Sequence, residues 1–197
     1  MLSLRLESAK NLIYFFCLGY IQYWRSDEFL PGVVFVFFML YTNKSLKFKG
    51  EYIDLNSFCE EIFAATKIKY PDLNLTSKID VDSSMYTDPI LLNSVFQNLI
   101  DNAYKYSEVS RKFIDISVEQ NKKNFVIQFS DKGIGINKNE LRNIFKKFYR
   151  VKNQFNQSGS VGLGLAFCKE ITEFMGGEIK VSSIEGEGTV FTLIFPR

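Results

Sequence analysis

The chain has 197 residues, of which 46% are apolar and 23% are charged, so one domain with a full core is expected and a disordered chain is excluded. The net charge of +2 gives no general argument for nucleic acid as a partner. Three well-separated cysteines without a CxxC pair predict a reduced, intracellular protein. The absence of histidine excludes imidazole zinc sites, Ser-His and Cys-His catalysis, and phosphorylation of a histidine within these residues.

Residues 1–45 differ in composition from the rest of the chain. Two apolar runs, 12–24 and 29–41, flank the polar sequence RSDE, and each is shorter than the roughly 20 residues that a membrane-spanning helix needs. Basic residues lie on both sides of the pair, which is typical of a short membrane hairpin with both ends in the cytoplasm. Two elements packed against a core or a partner are an equal alternative. Membrane association through 12–41 therefore stays open.

From residue 46 onward the pattern is that of an α/β domain. A helix is expected from Leu55 onward, ending before Tyr70-Pro71, and a short extended piece is expected near 85–87. The two runs that precede and follow Asn121-Lys122-Lys123 alternate in polarity and predict a β-hairpin. Between 46 and 131, strands are expected at four places: 46–55, 73–80, 113–120 and 124–131.

The helix predicted to begin at Asp88-Pro89 carries an unusual polar stripe. An Asp that accepts from free amides, followed by Pro, is a strong helix start. Asn98, Asn102 and Lys105 share a stripe at i, i+4 and i+7. A solvated face usually carries better helix formers than Asn, whereas amide oxygens beside a lysine suit a divalent metal bound together with phosphate. The apolar face is expected to comprise Leu91, Leu92, Val95, Phe96, Leu99 and Ala103.

The sequence DKGIGI (131–136) begins where an apolar strand ends. Asp131 can accept a hydrogen bond from an exocyclic amine, and Gly133 and Gly135 allow the backbone to lie close to a flat ligand. Alone, this pattern is equally typical of an ordinary turn.

Residues 137–148 predict a short helix capped by Asn137, with Glu140 three residues later. Phe145 and Phe148 are expected to anchor this segment. Arg150 is the better phosphate ligand among its basic residues, because the guanidinium group can hold two oxygens. The polar stretch 152–160 predicts a mobile lid over a bound nucleotide.

The sequence SGSVGLGLAFCKEI (158–171) predicts a helix with Gly162 and Gly164 in its first turn and Gly176-Gly177 after its end. Free amides and the positive end of the helix dipole form an anion site there. Neither a P-loop nor a dinucleotide-binding fingerprint is present. A two-stranded hairpin is expected from 177 to the C-terminus.

In this order, the motifs resemble the catalytic domain of sensor histidine kinases. NLIDNAYKYS resembles the N box, DKGIGI the G1 box, IFKKFYR the F box, GSVGLGLAFCKEI the G2 box and GEGTVFTLIFP the G3 element. The resemblance covers 46–197 and implies the Bergerat ATP-binding fold. This fold belongs to the α+β class and is a two-layer α/β sandwich, in which three helices cover one face of a mixed sheet. In it, ATP lies between the helices and a lid.

The resemblance implies roles for single residues. Asn102 would hold Mg²⁺ through its amide oxygen. Asp131 would accept from the adenine amino group. The catalytic set would be Asn98, Lys105 and Arg150, with Asn98 and Lys105 touching phosphate or metal-bound water. Further contacts with ATP would come from Tyr106, Gly133, Gly135, Ile136, Phe148, Gly162, Leu163, Gly164, Leu165 and Thr189.

The resemblance also implies what kind of reaction to expect. ATP-hydrolysing relatives carry a Glu one turn before the metal-binding Asn, but Asn98 stands there in this chain and cannot act as a base. We therefore expect transfer of the γ-phosphate to a histidine on a separate dimerisation domain, and indirectly to a response regulator. Residues 4–10 resemble the end of a dimerisation hairpin, so 1–45 could be its remnant.

Two alternatives remain open at this point. One is a regulatory or vestigial fragment that binds ATP without catalysis. The other is an ATP hydrolase of the same superfamily, which Asn98 disfavours.

Overall fold

The computed structural model describes residues 47–82, 84–108, 110, 112–151 and 162–197. The segment predicted for 1–45 and the lid predicted for 152–160 therefore lie outside the described residues. The described elements follow one another as β1 (Glu51–Ile53), α1 (Leu55–Lys69), β2 (Asn74–Asp80), β3 (Met85–Thr87), α2 (Pro89–Lys105), β4 (Phe113–Gln120), β5 (Asn124–Asp131), α3 (Gly164–Phe174), β6 (Glu178–Ile184) and β7 (Gly188–Pro196).

Side-chain caps set the starts of the first two helices. The Asp88 carboxylate accepts from the amides of Ile90 and Leu91 at 3.1 and 3.2 Å, and Pro89 occupies the first helical position. Asp54 accepts from the amide of Ser57 at 2.7 Å and caps α1 in the same way. The predicted start of α2 is confirmed.

Five strands form a mixed sheet in the order β2-β4-β5-β7-β6. The β2–β4 pair is parallel, and the β4–β5, β5–β7 and β6–β7 pairs are antiparallel. The predicted hairpins β4–β5 and β6–β7 are therefore confirmed. Strands β1 and β3 form a separate antiparallel pair.

One face of the sheet carries the core. On β4, Ile114, Ile116 and Val118 are fully buried and alternate with partly exposed residues, as the period of two requires. The ring of Phe96 on α2 lies edge-on to Phe129 on β5, with centroids 4.8 Å apart. Burying each such side chain stabilises the fold by about 1.5–3 kcal/mol. The predicted α+β architecture, with a mixed sheet and three helices, is confirmed.

The strand predicted for 46–55 is wrong in extent. It is limited to β1, and Leu55 is already the first residue of α1. The reason is the Asp54 cap, which starts the helix where the alternating pattern would continue the strand.

The helix predicted for 137–148 is also wrong. Successive turns replace it, with amide-to-carbonyl bonds from Glu140 to Asn137 and from Asn143 to Glu140 at 2.9 and 2.8 Å. The Asn137 side chain accepts from the amide of Asn139 rather than from that of Glu140. The Glu140 carboxylate accepts from the hydroxyl of Tyr149 and does not complete a capping box.

Among the described residues, no helix is both long enough and apolar enough to cross a bilayer.

Candidate functional site

Asp131 lies at the end of β5 with one carboxylate oxygen held by backbone. Its Oδ1 accepts from the amides of Gly133 and Thr189, at 2.8 and 3.2 Å. No described residue donates a hydrogen bond to Oδ2. Burial raises the pKa of Asp131, and the two amide hydrogen bonds partly oppose that rise. The carboxylate is thus fixed in orientation and keeps one oxygen available to a donor.

The glycines that follow Asp131 are required by contacts within the protein. Gly135 has a φ of +66°, and a Cβ there would lie 2.1 Å from the carbonyl oxygen of Ile184. A Cβ on Gly133 would lie 2.6 Å from the carbonyl oxygen of Tyr106, which also accepts from the amide of Ile134 at 3.0 Å. The loop is therefore clamped between the end of α2 and the turn between β6 and β7, and this packing alone explains both glycines.

Ser183 connects this loop to the β6–β7 turn, and sequence reasoning missed it. Its hydroxyl accepts from the amide of Ile136 at 2.8 Å and donates to the carbonyl of Gly188 at 2.7 Å. The hydroxyl of Thr189 lies 3.0 Å away. The available signal is its position on β6, because Ser183 follows Ile179 at an even spacing and shares the inward face. A polar side chain there needs hydrogen-bond partners.

The polar stripe of α2 faces the start of α3 at Asn98. The Asn98 side chain is 8% exposed, and its Nδ2 donates to the carbonyl of Ser94 at 2.8 Å. Its Oδ1 would lie 3.1 Å from a Cβ built on Gly164. One turn later, the side chain of Asn102 is partly exposed and makes no hydrogen bond to a described residue, and Lys105 is exposed. The structure therefore brings Asn98 and Gly164 together and leaves the Asn102 amide available.

Gly162 does not belong to the first turn of α3, contrary to expectation. The helix begins at Gly164, and Gly162 precedes it with a φ of +73°. The Gly162 carbonyl accepts from the amide of Phe148 at 2.9 Å, and a Cβ on Gly162 would lie 2.7 Å from the carbonyl oxygen of Tyr149. Gly162 thus joins the chain before α3 to the segment around Phe148.

No side chain of a described residue caps the start of α3. Leu163 occupies the cap position and offers no acceptor, so the first-turn amides of the helix lack the partner that Ser or Asp would supply. Leu163 and Leu165 are half-buried beside Gly164. Uncapped amides at the positive end of an 11-residue helix can bind an anion by donating hydrogen bonds to it.

Phe148 is not the anchor that the sequence predicts. Its side chain is 66% exposed, and its φ of +62° is rare for a bulky residue. Phe145, the other predicted anchor, does contact the sheet, with its ring edge-on to Phe191 at 6.4 Å. Lys147 holds the segment to α3 through an ion pair with Glu170 at 2.7 Å, and Arg150 is exposed at its end.

Asp101 holds the last turns of α2 from a different side, and sequence reasoning missed it too. It is 4% exposed and accepts from Lys69 at 2.9 Å and from the hydroxyl of Tyr70 at 2.8 Å. Burial raises the pKa of Tyr70, and its hydrogen bond to Asp101 raises it further. The cluster fixes the rotation of α2 next to Asn102. Nothing in the sequence indicated this burial, because Asp101 lies opposite the apolar face of the helix, where a solvated side chain is expected.

Comparison with known proteins agrees with this geometry. Residues 87–197 match the family described as histidine kinase-, DNA gyrase B-, and HSP90-like ATPase. The sensor protein kinase WalK of Staphylococcus haemolyticus is 36% identical over 159 residues, which cover 78% of this chain and 26% of WalK. The chain therefore spans about a quarter of that relative's length.

Two solved structures show the same fold. The catalytic domain of the histidine kinase ThkA superposes with a TM-score of 0.65 at 24% identity, and the match covers 77% of this chain and 96% of that domain. Full-length ShkA, solved in complex with AMPPNP, gives a TM-score of 0.71 at 16% identity, covering 96% of this chain and 36% of ShkA. The chain belongs to the histidine kinase-, DNA gyrase B- and HSP90-like ATPase family and carries the catalytic domain of a sensor histidine kinase.

Proposed function

We propose that this chain binds Mg-ATP between α2, the start of α3 and Asp131, and that it transfers the γ-phosphate to a histidine on a separate dimerisation domain. The observation that carries the proposal is the Asp131 carboxylate, whose Oδ1 is fixed by two backbone amides while no described residue donates to Oδ2. The protein would then act in a cytoplasmic phosphorelay, with a response regulator as its indirect partner.

The residues around Asp131 fit an adenine base. An adenine amino group would donate to Oδ2, because a carboxylate is an acceptor and the neighbouring amides already saturate Oδ1. Tyr106, Ile136 and Thr189 lie on the elements that hold this carboxylate and would border the base. Full-length ShkA, which contains this fold, was solved in complex with AMPPNP, which supports nucleotide binding as the function.

The opposite end fits phosphate and magnesium. The Asn102 amide oxygen is a suitable ligand for Mg²⁺. The uncapped amides of α3 would receive phosphate oxygens, and Gly164 adds no side chain in front of them. Lys105 and Arg150 would neutralise the charge of the phosphates at the edge of the site. Further contacts with the nucleotide would come from Phe148, Gly162, Leu163 and Leu165. When bound, Mg²⁺ would spread the charge of the phosphates, and ATP would supply the transferred group.

The polar stripe favours transfer to a side chain over hydrolysis. Asn98 stands where a general base would be needed, and an amide does not take a proton from water at neutral pH. The Nδ2 of Asn98 donates a hydrogen bond to the carbonyl of Ser94. Because these 197 residues contain no histidine, the acceptor of the phosphate lies outside them.

The second candidate function is ATP binding without catalysis, which the missing acceptor favours. The deciding experiment mixes the chain, ATP labelled at the γ-phosphate and purified histidine-bearing dimerisation domains of the source organism. We expect acid-labile label on one of them, and none on the same domain with its histidine replaced. Nucleotide binding without transfer to any of them would favour the second candidate. Steady phosphate release without an acceptor would instead favour a hydrolase.

A further inference from the structure

The Ser183 hydroxyl uses its full hydrogen-bonding capacity within the protein. A serine hydroxyl has one proton and two lone pairs, so it can make three hydrogen bonds. It makes three here, with the amide of Ile136, the carbonyl of Gly188 and the hydroxyl of Thr189 at 2.8, 2.7 and 3.0 Å. No capacity is left over, so the direction of each bond can be worked out.

The direction follows from counting protons. The Gly188 carbonyl can only accept, so it takes the single proton of the Ser183 hydroxyl. The Ile136 amide can only donate, so it occupies one lone pair of Ser183. The contact with Thr189 must therefore use the Thr189 proton. Once that proton points at Ser183, the Thr189 oxygen offers only lone pairs in every other direction.

Asp131 is an acceptor on the same side. The Thr189 amide donates to Asp131 Oδ1 at 3.2 Å, so a single residue connects the carboxylate and the Ser183 hydroxyl. The ionised carboxylate carries no proton, and its Oδ2 receives no hydrogen bond from a described residue. The two side chains at this end of the site thus present acceptors and no donor.

We propose that Ser183 is a positioning residue that sets the base preference of the site. By taking the Thr189 proton it leaves Thr189 and Asp131 as acceptors only. A purine with an amino group at position 6 can donate to such a pair. A 6-oxo purine has an acceptor at that position, so its oxygen would face the two acceptors without a proton between them. This inference rests on the proposed function, because it concerns the same nucleotide site, and it assigns a role to a residue that touches no ligand.

The test measures dissociation constants of Mg-ADP and Mg-GDP by calorimetry for the full chain and its variants. Ser183→Ala removes the acceptor for the Thr189 proton, so the Thr189 hydroxyl can rotate and donate to a 6-oxo group. We expect the preference for ADP over GDP to fall about tenfold, which corresponds to one hydrogen bond. The matched control is Ser182→Ala on the opposite face of β6, where the exposed side chain makes no hydrogen bond to a described residue. That preference should be unchanged in the control.

The outcomes separate this inference from the proposed function. Failure of the folded wild type to bind Mg-ADP would contradict the proposed function itself. Wild-type binding of ADP and GDP with equal affinity, or an unchanged ratio in Ser183→Ala with both affinities equally weakened, would overturn only the role of Ser183. Should Ser183→Ala not fold, Thr189→Val provides the second variant. It removes one of the two acceptors, so the same fall in preference is expected, and an unchanged ratio there also contradicts the inference.

Discussion

The two ends of the proposed nucleotide site are built from different parts of the chain. At the base end, backbone packs on backbone, and a Cβ on Gly188 or Gly135 would lie 2.0 or 2.1 Å from a carbonyl oxygen. At the phosphate end, side chains face each other, and among the described residues a Cβ on Gly164 would meet only the Asn98 Oδ1, at 3.1 Å. At Gly135 and Gly188 the base end therefore has no room for a further atom, whereas at Gly164 the phosphate end can adjust to a ligand.

This difference suits the chemistry expected at each end. Recognition of a flat base needs acceptors held at fixed positions, and a closed hydrogen-bond group around Ser183 and Asp131 supplies them. Phosphates and a metal ion bring strong charges of their own, so a polar group without a partner among the described residues, such as the Asn102 amide, is sufficient to bind them.

The largest effect is expected from Gly188→Ala at the base end. The change adds a Cβ 2.0 Å from the carbonyl oxygen of Asp131 at a φ of +134°, so the free energy of unfolding should fall by about 3 kcal/mol. Urea denaturation measures it. The matched control is Gly186→Ala, where φ is +84° but no atom of a described residue lies within 4 Å of the added Cβ; strain alone should cost about 1 kcal/mol there. Equal losses in the two variants would show that backbone packing does not shape the base end.

The next effect is the pH dependence of nucleotide affinity. Burial raises the pKa of Asp131, so this carboxylate takes up a proton at a higher pH than an ordinary aspartate as the solution is acidified. Protonation removes a charged acceptor, and Mg-ADP binding should weaken by about 1.5–3 kcal/mol below that pKa. Titration calorimetry on the folded protein between neutral and mildly acidic pH measures the change. A profile in Asp131→Asn with the same midpoint would assign the titration to another group.

A smaller effect is expected from Asn102→Ala at the phosphate end. The side chain has no partner among the described residues, so stability should change by less than about 0.5 kcal/mol. The affinity for ADP should lose its dependence on Mg²⁺, because the amide oxygen that would bind the ion is gone. Calorimetry with Mg²⁺ and with a chelator makes the comparison. Persistence of the full magnesium dependence would remove Asn102 from the metal site.

The smallest effect on nucleotide binding is expected from Gly164→Ala. The methyl group would lie 3.1 Å from Asn98 Oδ1, which a small rotation of that side chain can relieve. The free energy of unfolding should therefore change by less than about 1 kcal/mol, since Ala also favours the helix. Affinity for Mg-ADP should nevertheless fall several-fold, because Asn98 is displaced and the helix start is partly covered. A loss of stability as large as in Gly188→Ala would erase the contrast between the two ends.

Local patterns in the sequence were sufficient for the elements that carry the site. The start of α2, its apolar face and the β4–β5 hairpin follow from Asp88-Pro89 and from residue periodicity, because caps and alternation act over a few residues. The helix predicted for 137–148 failed because the side chains of Asn137 and Glu140 have competing partners, Asn139 and Tyr149.

The reasons for individual residues needed the fold. The close approach of a ligand to Gly135 stays a prediction, and the fold adds a second reason for this glycine, the carbonyl of Ile184, far away in the chain. The inward position of Ser183 could be read from the alternation of β6, whereas its partners Ile136 and Thr189 depend on how a loop meets a distant hairpin. Tertiary packing of this kind leaves no local sequence signal.

The central claim is that Asp131 marks the base end of a nucleotide site. The most direct test is the melting temperature of the full chain with and without Mg-ADP, in the wild type and in Asp131→Asn. A ligand that binds only the folded state raises this temperature. We predict a rise in the wild type that is lost or strongly reduced in Asp131→Asn. No rise in a cooperatively folded wild type, or an equal rise in both proteins, would contradict the claim.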